Sequence, residues 1–242
     1  MAATSDALLE HVTAAPEDAA IFLDFDGVLA PIVARPEDAY PPPETRVELD
    51  RLAGRYALLA VISGRAGDDV RERVAVDGIV YVGSHGLELD RQADRWRRQI
   101  VDFAGAAPWP PSEIELKGLS VAFHYRYRED EQAAVLELEQ LAELAHGEGL
   151  VARFGRKVLE VLPPVGSNKG TAVRHLLDGA GLSRALVAGD DVTDLDAFRA
   201  VEELEHKIRV AVLADESPSL LADHSELVLA STGEFLELLR RL

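Results

Sequence analysis

Four short apolar runs, each cut off by acidic, hydroxyl or glycine residues, constrain this chain more than any other feature of its sequence. Ala19 to Leu23 ends in Asp24-Phe25-Asp26-Gly27, and Tyr56 to Ile62 ends in Ser63-Gly64-Arg65. Gly78 to Val82 ends in Gly83-Ser84-His85-Gly86, and Ala185 to Ala188 in Gly189-Asp190-Asp191. Runs this short and this apolar read as strands buried on both faces. Helical patterns lie between and after them, over Glu44 to Ala53, Asp68 to Val74, Lys169 to Ala180, Thr193 to Leu204 and Gly233 to Leu242. The alternation predicts an α/β fold around a parallel sheet, whose ligands bind beyond the carboxyl ends of the strands. The polar loops occupy those ends.

The middle of the chain breaks this rhythm. From Glu113 to Arg128 apolar residues alternate, with Ile114 and Leu116 on even positions and Leu119, Val121, Phe123 and Tyr125 on odd ones, so two strands meet around Lys117-Gly118. A helix is expected from about Glu129 to Ala145, then a hairpin of Leu150 to Phe154 and Lys157 to Leu162 turning at Gly155-Arg156. The stretches Ala104 to Ser112 and Pro163 to Gly166, rich in proline and small residues, bracket this part as an inserted α+β domain. The expected division is a core of residues 1–108 and 165–242 with an inserted cap domain at 109–164. No internal repeat is present, and Pro41-Pro42-Pro43 reads as a stiff connector.

Charge and cysteine usage exclude several classes of function. With 25 Lys and Arg against 43 Asp and Glu the net charge is −18, which disfavours nucleic acid and anionic membrane surfaces as partners. An anionic substrate must therefore be met locally. No cysteine is present, so disulfides, thiolate nucleophiles and cysteine zinc sites are ruled out. The first twenty residues carry Asp6, Glu10, Glu17 and Asp18 rather than a basic start and an apolar run, and a cytoplasmic location is expected.

Asp24 and Asp26 stand two apart at the end of the first strand, and the Gly189 to Asp196 stretch adds Asp190, Asp191, Asp194 and Asp196 at another. Aspartates also serve as turn and cap residues, but capping accounts for one or two of the acids after Gly189, hardly four. Hard oxygen donors in that number ask for Mg²⁺, which often bridges a substrate phosphate. Ser63, the Gly64 N–H and Lys169 at a helix start supply donors and a positive charge for phosphoryl oxygens.

Taken together, Asp24-Phe25-Asp26-Gly27-Val28-Leu29, Ser63-Gly64-Arg65, Lys169-Gly170 and Gly189-Asp190-Asp191-Val192-Thr193-Asp194 resemble the motifs of the haloacid dehalogenase superfamily. Within it, Gly83-Ser84-His85-Gly86, Glu115-Leu116-Lys117, His124-Tyr125-Arg126 and Leu159-Glu160-Val161-Leu162-Pro163 resemble the trehalose-6-phosphate phosphatases. Val28 stands where these phosphatases usually carry threonine.

The resemblance implies a Rossmann-like parallel sheet with an inserted cap, and Mg²⁺-dependent hydrolysis through an aspartyl-phosphate. Asp24 is then the nucleophile and Asp26 the acid and base. Asp24, Asp190 and the backbone carbonyl of Asp26 are implied as metal ligands, with Asp191 and Asp194 holding metal-bound waters or orienting Lys169. Ser63, Gly64 and Lys169 take the phosphoryl oxygens. Glu115, Lys117, Arg126 and Glu160 are implied as sugar contacts; His124, His85 and Arg65 are further candidates, with a hydrogen bond within the cap, closure of its own loop and a surface ion pair as their respective alternatives. Parity alone puts Glu115 with Lys117 and His124 with Arg126 on a polar face, which equally describes an ordinary solvated sheet.

The resemblance also leaves a sucrose-phosphate or mannosyl-phosphoglycerate phosphatase open, as well as a non-catalytic sugar-phosphate regulator, and it implies a functional association with a trehalose-6-phosphate synthase.

Overall fold

The computed structural model describes residues 2–126, 128–155, 157–213 and 219–242, and only the backbone of residues 2–5 and 219. It divides into two compact units, one of residues up to 86 and from 167 onward, the other of residues 87–166.

The first unit is built on a parallel sheet. Its strands are β1 (Ala19–Leu23), β2 (Leu58–Ile62) and β3 (Val80–Val82), and, after the inserted unit, β8 (Arg184–Gly189), β9 (His206–Val212) and β10 (Leu227–Leu229). Their order is β10-β9-β8-β1-β2-β3. All five residues of β1 are buried, because it pairs with β2 on one edge and β8 on the other and is covered on both faces. One face meets α1 (Ala2–Thr13), α2 (Pro43–Ala53), α3 (Gly67–Val74) and α9 (Thr232–Arg241), through Leu9, Leu49, Val70 and Phe235 packed with Ile21, Leu23, Val61 and Leu186. On the rest of the sheet, α6 (Lys169–Ala180) packs on β2 and α7 (Asp194–Ala200) on β8.

The chain leaves β1 toward β2 on one side, and β8 returns on the other. The strand order therefore reverses between β1 and β8, and ligands of open α/β sheets bind at such a switch point. Asp24 follows β1 and Asp190 follows β8.

The second unit carries an antiparallel sheet ordered β4-β5-β7-β6, from β4 (Ile114–Leu116), β5 (Val121–His124), β6 (Val151–Gly155) and β7 (Val158–Leu162). Two helices accompany it, α4 (Arg97–Ala106) and α5 (Glu131–Gly147). Phe123, Leu159 and Val161 pack with Leu138 and Leu141 of α5 and with Ile100 and Phe103 of α4. Asp130 caps α5 by accepting from the Ala133 N–H at 2.9 Å.

This packing moves the first boundary. The unit begins at Leu87 rather than at residue 109, because α4 and Trp109 belong to its core. Trp109 is buried, and its indole N–H donates to the His124 carbonyl at 3.1 Å, so the small-residue stretch from Ala104 is packed structure and no hinge. Arg156 of the expected hairpin turn, like Tyr127, lies outside the described residues. The helix expected over Thr193 to Leu204 stops at Ala200, and α1, α4, β9 and β10 join those the apolar pattern indicates.

Among the described residues no helix is long and apolar enough to cross a membrane.

Candidate functional site

The acidic ends of β1 and β8 are held together by the backbone. The Asp24 N–H donates to the Ala188 carbonyl at 3.0 Å, extending the ladder one residue past β1. Gly27 then turns with φ +79°, and a Cβ there would fall 2.1 Å from Asp190 Oδ2. Only glycine allows both the left-handed turn and that approach. Gly189 is equally tight, since its Cβ would fall 2.2 Å from Asp194 Cγ.

Lys169 enters from α6. Asn168 caps that helix by accepting from the Thr171 N–H while Thr171 Oγ1 accepts from the Asn168 N–H, both at 2.9 Å, which fixes where the first helical residue points. A Cβ on Gly170 would fall 2.3 Å from the Asp196 carbonyl, so glycine lets α6 and α7 approach closely. The Lys169 ammonium donates to Asp194 Oδ1 at 2.7 Å and lies 3.0 Å from Asp24 Oδ1. Asp194 Oδ2 accepts from the N–H groups of Asp190 and Asp191, each at 3.1 Å.

Carboxylate oxygens of Asp24, Asp190 and Asp194 lie within 4.8 Å of one another. Burial, then the neighbouring carboxylates, push Asp24 up to about 7 against the pull of Lys169. Asp190 is pushed up to about 9 by burial, then by Asp24 and Asp194. Burial alone would lower Lys169, but Asp194 and Asp24 outweigh it and hold the ammonium charged. Full ionisation of these three carboxyl groups around one ammonium would leave an excess of two negative charges, which is why two of them are pushed up, and oxygen-only donors whose ionisation is this costly fit a hard divalent cation.

Asp26 stands apart from that cluster. Both its oxygens accept from Arg65, from Nε at 2.7 Å and Nη2 at 2.8 Å. Arg65, a candidate either for substrate contact or for an ion pair, has a nearly buried guanidinium between Asp26, Asp69 and the Pro36 carbonyl, over the Phe25 ring. Asp191 is exposed, and its Oδ1 accepts from the Val192 N–H.

Ser63 is buried beside this group, and the loop after β3 clamps its turn. The His85 N–H donates to the Ser63 carbonyl and the Ser84 N–H to the Arg65 carbonyl, both at 2.8 Å. These two carbonyls flank the Gly64 residue. Ser84, His85 and Gly86 all have positive φ, of 50°, 54° and 101°, strain that the clamp must offset. The His85 ring packs on Gly64, where a Cβ would meet it at 2.6 Å. His85 therefore shapes the turn that carries Ser63 and Gly64.

In the second unit, register pairs Glu115 with Ala122 and Ala122 with Glu160, so both glutamates share one face of the sheet. His124 Nε2 lies 2.9 Å from Glu115 Oε2, and Lys117 Nζ lies 3.6 Å from Glu160 Oε1 and 4.0 Å from Glu115 Oε2. Arg126 stands exposed just past β5. Ser120, which sequence reasoning passed over, donates to Glu160 Oε1 at 3.0 Å. No periodicity marks a lone serine after a turn as part of such a cluster.

Comparison with known proteins adds three findings. The family described as trehalose-phosphatase matches residues 22–225. The trehalose-phosphate phosphatases of Mycobacterium avium and of Mycobacterium tuberculosis H37Rv are 36% and 37% identical over 202 residues, covering 75% of this chain and 51% of theirs. The chain thus spans about half the length of the curated relatives it matches. The C-terminal domain of Candida albicans trehalose-6-phosphate phosphatase superposes with a TM-score of 0.75 at 22% identity, over 96% of this chain and 94% of that one, a likeness of fold.

Proposed function

The chain belongs to the trehalose-phosphatase family, and from that membership we propose that it hydrolyses trehalose 6-phosphate to trehalose and phosphate with Mg²⁺. The observation that carries the reading is the nearly buried Asp24, 3.0 Å from Lys169 and grouped with Asp190 and Asp194 at the switch point of the sheet.

In the first step an Asp24 carboxylate oxygen attacks phosphorus and the bond from phosphorus to the sugar oxygen breaks. Asp26 gives the departing oxygen its proton. In the second step Asp26 takes a proton from water, the water oxygen attacks phosphorus, and Asp24 is released as a carboxylate with inorganic phosphate. Each Asp26 oxygen accepts a single hydrogen bond from Arg65 and keeps a second lone pair for the proton it transfers. Ser63, the Gly64 N–H and Lys169 receive the non-bridging oxygens, where charge must be stabilised.

Asp24 and Asp190, with the Asp26 carbonyl, would hold Mg²⁺, which when bound supplies positive charge against the phosphoryl oxygens. Asp194 spends one oxygen on Lys169 and the other on two backbone N–H groups, which suits it to orienting Lys169. Asp191 is exposed beside it and would hold water. Glu115, Lys117, Arg126, Glu160 and His124 offer donors and acceptors for sugar hydroxyls.

Release of phosphate from trehalose 6-phosphate, sucrose 6-phosphate, mannosyl-3-phosphoglycerate and glucose 6-phosphate, with and without Mg²⁺, tests the reading. The first should be hydrolysed fastest and only with the metal; preference for another ester, or no turnover at all, overturns it.

A further inference from the structure

We propose that Ser120 positions Glu160, and through it sets the preference for a large polyhydroxylated phosphate ester over a small one. This rests on the sugar-reading role proposed above for the Glu115, Lys117 and Glu160 cluster.

Three observations place Ser120 at the centre of that cluster. It is completely buried, and its hydroxyl donates to Glu160 Oε1 at 3.0 Å. Its carbonyl accepts from the Lys117 N–H at 2.9 Å, closing the turn in which Gly118 takes φ +80°. That turn brings Lys117 to the same Glu160 oxygen, at 3.6 Å. One tight loop thus delivers a neutral donor and a cation to one carboxylate, while Ala122, which reaches no further than a methyl group, separates Glu160 from Glu115 in the register.

The two donors act differently. A lysine ammonium is a point charge on a flexible stem and tolerates many directions of approach. A buried hydroxyl on a short side chain has one place to point. Ser120 therefore fixes the direction of Oε1 and leaves the carboxylate charged to accept from a sugar hydroxyl. A carboxylate ordered before the ligand arrives loses less entropy on binding. Without the hydroxyl, Glu160 has one donor fewer in a largely buried place and follows Lys117.

The test compares the parent with Ser120→Ala and Ser120→Cys, alone and with Glu160→Gln. The cysteine leaves no cavity, being slightly larger than serine, and is a weak donor, so beside the alanine it separates loss of the hydrogen bond from loss of packing. For each, kcat and KM are measured on p-nitrophenyl phosphate and on whichever sugar phosphate of the panel the parent hydrolyses fastest, with thermal midpoints alongside. Both single changes should lower the ratio of kcat/KM on the sugar ester to that on p-nitrophenyl phosphate by about tenfold, mainly through KM. In the Glu160→Gln background they should add little, since the group being positioned is already altered.

Equal losses on both substrates, or full additivity with Glu160→Gln, overturn the proposal and leave Ser120 a packing residue. A parent that prefers a different sugar phosphate overturns the trehalose assignment, while the ratio on that ester still supports or defeats the role of Ser120. A parent that cleaves p-nitrophenyl phosphate and no sugar phosphate defeats both.

Discussion

Arg65 grips Asp26 with two nearly parallel hydrogen bonds, Nε to Oδ2 at 2.7 Å and Nη2 to Oδ1 at 2.8 Å, and the same guanidinium reaches Asp69 at 3.3 Å. The pair engages both Asp26 oxygens, and Asp26 is not among the carboxylates grouped with Asp24 and Asp190. A lysine cannot reproduce a two-point grip. Arg65→Lys should therefore lower kcat on p-nitrophenyl phosphate by at least about tenfold while the far-ultraviolet circular dichroism stays that of the parent. Turnover by the lysine variant at the parent rate would mean that the grip has no part in catalysis.

Asp24→Asn keeps the size of the side chain and removes the carboxylate proposed as nucleophile. Turnover should disappear in a folded protein, and beryllium fluoride, which mimics a phosphoryl group on aspartate, should protect only the parent against thermal unfolding. A residual rate above about a tenth of the parent, a barrier change of only ~1.4 kcal/mol, would exclude Asp24 as nucleophile.

The cost of ionising Asp24 and Asp190 beside Asp194 predicts the response to metal. Treatment with EDTA should stop catalysis and lower the thermal midpoint, and Mg²⁺ should restore both, because an ion bound only by the folded protein stabilises it. Asp190→Asn should make the metal-free protein more stable at neutral pH, because an amide escapes the cost that burial and then Asp24 and Asp194 place on the carboxylate, and should abolish the gain from Mg²⁺. Full activity in excess EDTA would defeat the metal site.

A pH effect is expected far from the site. Glu226 accepts from the Arg209 N–H at 2.7 Å and from Arg209 Nη2 at 2.6 Å, which ties the edge strand β10 to β9. Burial alone would raise the Glu226 carboxyl, but the hydrogen bonds from Arg209 and its charge outweigh that and lower it from 4.5. A carboxyl lowered by folding adds stability above its ordinary value, and that stability is lost as the pH falls through the lowered one. Glu226→Gln should therefore lower the thermal midpoint at neutral pH, with the gap closing as the pH falls below the ordinary carboxylate range. A gap constant over that range would show that the charge of Glu226 is irrelevant.

What could be read from the sequence follows from how local each signal is. β1 and α6 match their expected limits because an unbroken apolar run and an Asn-Lys-Gly-Thr helix start are decided within a few residues. Lys169 and Asp24 are legible as charged residues at element ends, whereas the ion pair that brings them within 3.0 Å joins elements far apart in the chain. The partner of Arg65 is not legible, because Ser-Gly-Arg says nothing about Asp26 waiting across the sheet. β9 escapes the apolar pattern because His206, Lys207 and Arg209 interrupt it, and its identity comes from pairing with β8 from His206 to Ala211. The helix α4 hid behind a proline-rich stretch, and what claims it for the second unit is the packing of Ile100 and Phe103.

The reversal of strand order between β1 and β8 also sets the sequence of events during folding. β1 can pair with β2 as soon as the first part of the chain has left the ribosome, but its other edge stays unsatisfied until β8 arrives, after the whole inserted unit has been synthesised. Contacts so distant in sequence form late. In the interval a fully apolar strand offers an open edge, the feature most prone to pairing with another chain. The closure that removes this hazard also brings Asp190, Asp194 and Lys169 to Asp24, so a nascent chain acquires its reactive centre and its protection from aggregation together.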